Sequence, residues 1–176
     1  HEIIALKKDK QMRVDKFNEY LNFDATINYL IIMEFALLDD NVAKNMLLAT
    51  YDGKIWYPSL YDLDTSWGTN YDGLSLLDYK KMDNWLRSKL WSRMIENYPR
   101  EISERYFELR NDILTKEHVL ELFENFDNKI SSETLEKENV RWKNIPGYDI
   151  KQIEEFLDTR IPLMDKIMTE RKEKGK

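Results

Sequence analysis

Cysteine is absent from the 176 residues, which removes disulfides, thiol nucleophiles and zinc–thiolate sites while leaving the compartment open. Glycine and proline are scarce, with five and four residues. A fold of many short strands needs more of both, so helices are expected to dominate. Histidine occurs only at His1 and His118. No histidine or cysteine stands beside a serine, so nucleophilic hydrolysis has no visible machinery, and His118 in a helical pattern reads as structural. No stretch approaches the roughly 18 consecutive apolar residues of a membrane span. Positive charge is short as well: 27 Lys and Arg against 33 Asp and Glu leave a net charge of -6, which argues against a nucleic-acid partner.

What is present suits one globular domain over residues 1–176. Hydrophobic residues make up 42% and charged ones 34%, enough for a real core and far from the composition of disorder. The sequence opens on His1 with no visible signal peptide, and it reads as an excised piece of a longer protein.

Apolar residues from Ile3 to Leu21 fit helical spacing best from Val14 onward, with Phe17, Tyr20 and Leu21 on one face. Asp24 reads as the N-cap of a helix from Ala25 to Leu38. Only Thr26, Asn28 and Glu34 are plainly polar in that helix, so protein must surround it. Asp39-Asp40-Asn41 ends it with residues that favour turns. Two short runs, Met46 to Tyr51 and Lys54 to Leu60, flank Asp52-Gly53, the signal for a two-residue hairpin turn. Pro58 gives the second strand a free edge or an early stop.

A polar segment with a turn at Asp72-Gly73 follows. Helices then run almost to the end. One carries Trp85, Leu86, Leu90, Trp91, Met94 and Ile95. A second begins at Pro99, a third is capped by Thr115, and a polar one spans about Ser132 to Lys143. Ile145-Pro146-Gly147 breaks the pattern before a last helix from about Asp149, in which Pro162 predicts a kink or a break. Most of the five Trp and ten Tyr fall on apolar helix faces and are expected in the core.

The stretch from Leu38 to Gly68 carries the chemistry. Asp40 and Asn45 are five positions apart; the hairpin follows, and then Asp62-Leu63-Asp64. Phosphoryl transfer needs a positioned acceptor hydroxyl and metal to neutralise phosphate charge. A carboxylate at the head of a loop can orient and deprotonate the hydroxyl, and an amide five residues on can curl back to hold a metal ion, which is the spacing of kinases. Two carboxylates on alternate positions after a strand can converge on Mg²⁺, a hard ion that takes oxygen ligands. Taken singly, each pair is also an ordinary set of turn formers. An EF-hand fits poorly, because Gly68 is one position late and Gly73 stands at position 12. The Asp-x-Asp of nucleotide-sugar glycosyltransferases is a chemical rival, but it belongs to an α/β fold.

In order and spacing the stretch resembles the CotH (spore coat protein H) kinase family. That family has a hydrophobic helix, Asp-x4-Asn, an apolar strand, and a second strand leading through Pro into Trp-Asp-x-Asp and a nearby Gly. Here DNVAKN spans 40 to 45, MLLATYDGKIWYP supplies the hairpin and YDLDTSWG spans 61 to 68; Phe156-Leu157-Asp158-Thr159-Arg160 is similar too. Tyr61 stands where the family often has Trp. As in the family, no His-Arg precedes Asp40, and Asp64 replaces the Gly of the ordinary kinase metal motif.

The resemblance implies a mainly α fold, the helical C-terminal lobe of an atypical protein-kinase-like fold with one small β-hairpin. It implies ATP and Mg²⁺ as cofactors, a protein Ser/Thr hydroxyl as acceptor, and the spore coat or cell surface as location. It makes Asp40 the catalytic base, Asn45 and Asp62 cofactor- and metal-binding, and Asp64 a further metal ligand. The glycine-rich loop and the phosphate-binding Lys of a nucleotide lobe are expected upstream of His1, since Lys7, Lys8 and Lys10 are on no convincing strand. A lobe in that state is expected to be inactive alone, with an open face suited to self-association. A non-catalytic structural or surface-interaction protein that keeps the fold stands as the alternative.

Overall fold

Residues 14–73, 75–82, 87–143 and 150–175 are described by the computed structural model. A short helix α1 (Val14–Phe17) leads into the apolar helix α2 (Phe23–Phe35). The Asn22 side chain accepts from the Ala25 N–H at 2.8 Å, so Asn22, and not Asp24, is the N-cap; Asp24 lies in the first turn, where its charge suits the helix dipole. Ile27, Leu30, Ile31, Met33 and Phe35 are each at most 3% exposed, as the composition of the helix demands. The helix expected to continue from Val14 to Leu21 stops at Phe17, and Leu21 instead bridges to Trp56.

α2 ends before Leu38. Leu37 adopts a left-handed backbone with φ 53, and the Leu38 N–H returns to the Met33 carbonyl at 2.9 Å. This is a Schellman closure, made here without the usual glycine. The conformation costs an L-residue about 1–2 kcal/mol, which the burial of both leucines offsets.

A 3-10 turn (Asp40–Val42) leads into β1 (Met46–Thr50) and β2 (Trp56–Leu60), antiparallel, with Met46 opposite Leu60 and Thr50 opposite Trp56. Their connection is residues 51–55 and not the expected two-residue turn. Asp52 is the cause: its Oδ1 accepts from the backbone N–H groups of Lys54 (2.9 Å) and Ile55 (3.1 Å), a local bond that competes with the ladder. The Lys54 bond foremost, these contacts hold the Asp52 carboxyl below its ordinary range. On β2, the Trp56 N–H donates to the Tyr20 carbonyl and the Trp56 carbonyl accepts from Asn22. Trp56 therefore turns its polar groups away from β1, and Pro58, two residues on, places its missing donor on that same outer edge.

The later helices are α3 (Lys89–Asn97), α4 (Pro99–Arg110), α5 (Lys116–Asp127), α6 (Ser132–Arg141) and α7 (Ile150–Lys174). Pro99 opens α4, and Thr115 caps α5 by accepting from the His118 N–H. α7 does not break at Pro162. Phe156 and Leu157 on one side of the proline and Met164 and Met168 on the other are fully buried, and that packing outweighs the lost hydrogen bond. The aromatic expectation holds in part. Tyr29, Trp91, Tyr98 and Tyr106 are buried, whereas Tyr51, Tyr61, Tyr71 and Trp142 face solvent. Ile3 to Met12, Trp85 and Leu86, and Ile145-Pro146-Gly147 lie outside the described residues. Among those described, the architecture is mainly helical with one two-stranded sheet, and no helix is long and apolar enough to cross a membrane.

α7 packs on α4, α5 and α2, and two arginines fasten it to the end of α2. Arg160 donates to the carbonyls of Glu34, Tyr79 (3.0 Å) and Lys81 (2.6 Å). Arg171 grips both oxygens of the Glu34 carboxylate at 2.7 and 2.8 Å. Both arginines and Glu34 are buried. Breaking a buried pair leaves a charge uncompensated, which typically costs about 3–5 kcal/mol. Arg171→Met is accordingly expected to lose that much in urea unfolding, and Glu34→Leu combined with it to recover most of the loss. A loss under about 1 kcal/mol for the single variant would show that the pair is not a structural tie.

Candidate functional site

The turn after α2 is held from beneath by the core. The Tyr29 hydroxyl donates to the Asn41 carbonyl at 2.8 Å, and the Trp91 indole N–H donates to the Val42 carbonyl at 2.8 Å. The two rings stack at 5.4 Å and 9°. Burial pushes the Tyr29 hydroxyl up to about 12, so it stays a donor at any ordinary pH. The Asp40 carbonyl accepts from the N–H groups of Lys44 and Asn45, which curls residues 40–45 back on themselves and buries Asn45. The preceding residue, Asp39, takes Lys81 at 2.9 Å and Arg87 at 3.2 Å.

Across from this turn, β2 ends and the chain enters residues 61–68. Asp62 has a left-handed backbone, φ 54, and so does Trp67, φ 52, a conformation L-residues occupy at a cost and one that clusters at functional sites. The Trp67 N–H caps the Ala36 carbonyl at the end of α2, 2.7 Å away. Gly68, φ 85, lies where a Cβ would run into the Tyr79 and Phe156 rings, so glycine is required there.

The two segments touch through side-chain amides. Asn45 Nδ2 donates to the Asp62 carbonyl at 3.3 Å. Asn41 Nδ2 donates to the carbonyls of Asn45 (3.0 Å) and Tyr61 (2.9 Å). Asp40 binds the Lys44 ammonium at 2.8 Å. That bond above all raises the Lys44 pKa, and the charges of Asp64 and Asp62 add to it. Asn45 and Asp62 are thus in direct contact, and Asp40, Asp62 and Asp64 all act on one cation. Asp62 and Asp64 are exposed, with Thr65 Oγ1 donating to Asp64 at 3.5 Å.

Oxygen donors of this kind, an amide and one or two carboxylates, fit Mg²⁺. That ion keeps several waters and takes few protein ligands beside substrate phosphate. They do not form a ready-made cage: among the described residues, no three His, Asp or Glu side chains are grouped to hold a metal. Asn45, Asp62 and Asp64 are the residues that would hold the ion, whose contribution would be to neutralise phosphate charge.

Sequence reasoning singled out Asp40, Asn45, Asp62 and Asp64 and passed over Asn41 and Lys44. Asn41 reads as a turn former, and nothing local signals its bond to Tyr61, 20 residues on. Lys44 lies four residues after Asp40, a helix-like pairing distance that the sequence does show.

The hydroxyl of Tyr29 offers a clean test of the support beneath the turn. Tyr29→Phe leaves a buried carbonyl unpaired and is expected to cost about 1–3 kcal/mol in urea unfolding. No change in the midpoint would mean that the turn is held by other contacts.

The family model described as CotH kinase protein matches residues 3–164 of the chain. No curated protein and no solved structure matches it.

Proposed function

Because the chain belongs to the CotH kinase protein family, we propose that it carries the metal- and acceptor-holding half of a phosphoryl-transfer site. In this reading the γ-phosphate of ATP passes to a protein Ser or Thr hydroxyl. The observation that supports it most is the contact of Asn45 with Asp62 beside the Asp40–Lys44 pair. Two segments 17 residues apart meet where the Asn45 side-chain amide bonds the Asp62 main-chain carbonyl. This brings an amide-bearing and a carboxylate-bearing residue side by side, and phosphoryl transfer depends on such positioning.

Asp40 orients the acceptor hydroxyl and takes its proton. Asn45 and Asp62, with Asp64, would hold Mg²⁺, which would neutralise phosphate charge when bound. Lys44 keeps the negative charge of Asp40 balanced until the acceptor arrives. The five glycines are too scattered in sequence to spell a glycine-rich phosphate motif, so none of them is assigned the grip on adenine and on the outer phosphates. The family's name suggests association with a spore coat as the setting.

The alternative is a non-catalytic surface-interaction protein with the same fold. Transfer of labelled γ-phosphate, measured in the longest natural polypeptide containing these residues, separates the two. Asp40→Asn is expected to slow transfer by on the order of 10²–10⁴, Asp62→Ala to abolish it through lost metal, and chelation of Mg²⁺ to stop it reversibly. Transfer at the parental rate in both variants would refute these roles, and no transfer by the parent would favour the alternative.

A further inference from the structure

We propose that Asn41 is the positioning residue of this site: through one buried amide it sets the distance between the Asp40–Asn45 turn and the Asp62 segment. The inference rests on the phosphoryl-transfer reading for what the site does, and on the chain's own geometry for how it is held.

Asn41 is fully buried. Its neighbours give its amide only one orientation, because both of its partners, the carbonyls of Asn45 and Tyr61, are acceptors and only the NH₂ end can donate to two of them. Each bond reaches the backbone of a residue that adjoins or belongs to the site: Asn45 itself, and Tyr61, one residue before Asp62. The Asn41 main chain is fixed from the other side by the Tyr29 hydroxyl. The residue therefore joins three things in one side chain's length: core, turn and strand exit.

The direct contact between the segments, Asn45 Nδ2 to the Asp62 carbonyl, is long at 3.3 Å against 2.9 Å for Asn41 Nδ2 to the Tyr61 carbonyl, so it is the weaker of the two links. Without Asn41, the 61–64 segment would keep that weak bond and its ties further on, at Trp67 and Gly68. Its left-handed Asp62 would then lose the constraint that holds it there. Partners that orient ligands in this way typically matter by 10–100-fold in metal affinity or activity, on the order of what a ligand's own outer contacts supply.

The test compares Asn41→Ala with Tyr29→Phe, which removes a hydrogen bond from the same turn on its core side only. Asn41→Ser, which keeps one donor, replaces the alanine variant if that variant does not fold. Backbone NMR shifts and hydrogen exchange are read at residues 43–46 and 61–64 of the whole chain. With Asn41 altered, the signals of 61–64 are expected to shift and their exchange to quicken. With Tyr29→Phe, 61–64 should stay as in the parent although stability falls. Unmoved 61–64 signals in the Asn41 variant, or equal movement in both variants, would overturn the proposal.

In the phosphoryl-transfer assay the Asn41 variant is expected to lose on the order of 10–100-fold in kcat and to need more Mg²⁺, a larger loss than that of Tyr29→Phe. An absence of transfer in every protein would count against the phosphoryl-transfer reading alone, because the NMR comparison decides the role of Asn41 without activity.

Discussion

Arg160 is shut away from water without a carboxylate to bond, and the arrangement of the lobe depends on how its charge is satisfied. Burial lowers its pKa to about 10, still far enough above neutrality to keep the guanidinium charged. Its donors are spent on backbone carbonyls at the end of α2 and in the 79–81 loop, while Glu34, held by Arg171, supplies the nearest opposite charge. A planar fork with five donors can do this, and a lysine cannot. The result is that α7, 126 residues away in sequence, is locked to the place where α2 must stop.

From that fixed point the site follows. Leu37 turns the chain, Ala36 is capped by Trp67, and Tyr29 and Trp91 hold the carbonyls of residues 41 and 42. The backbone of the site is therefore set by buried donors, whereas its charged groups, Asp40, Lys44, Asp62 and Asp64, stand at the surface. Rigid support beneath accessible charge is what a site that exchanges ligands needs. Under the proposed function, the Lys44 ammonium sits in the same acidic field of Asp40, Asp62 and Asp64 in which a divalent cation would be held.

Much of this is legible in the sequence alone. The nearly uninterrupted apolar run from Ala25 to Leu38 identifies the central helix, and Pro99 and Thr115 mark helix starts by their chemistry. What escaped was local competition and distance. Asn22 took the cap from Asp24 because an amide oxygen stood one turn ahead of Ala25. Asp52 widened the hairpin by bonding its own backbone, and Pro162 was carried through by packing on both sides. In the site, the spacing of Asp40, Asn45, Asp62 and Asp64 was visible, since it is a matter of order. The links that join the two segments, through Asn41 and Asn45, were not, because an asparagine after a helix looks the same whether its amide meets water or a carbonyl 20 residues on.

The central claim is that residues 40–45 and 61–64 form one metal-phosphate site. Anomalous diffraction from crystals of the chain soaked with Mn²⁺, standing in for Mg²⁺, and a non-hydrolysable ATP analogue tests it most directly. The account predicts a metal peak within bonding distance, roughly 2.0–2.2 Å, of the Asn45 side-chain oxygen and of an Asp62 or Asp64 carboxylate, with phosphate oxygens on its open side. A metal–nucleotide complex bound elsewhere, or a site that stays empty at saturating concentrations of both, would contradict it.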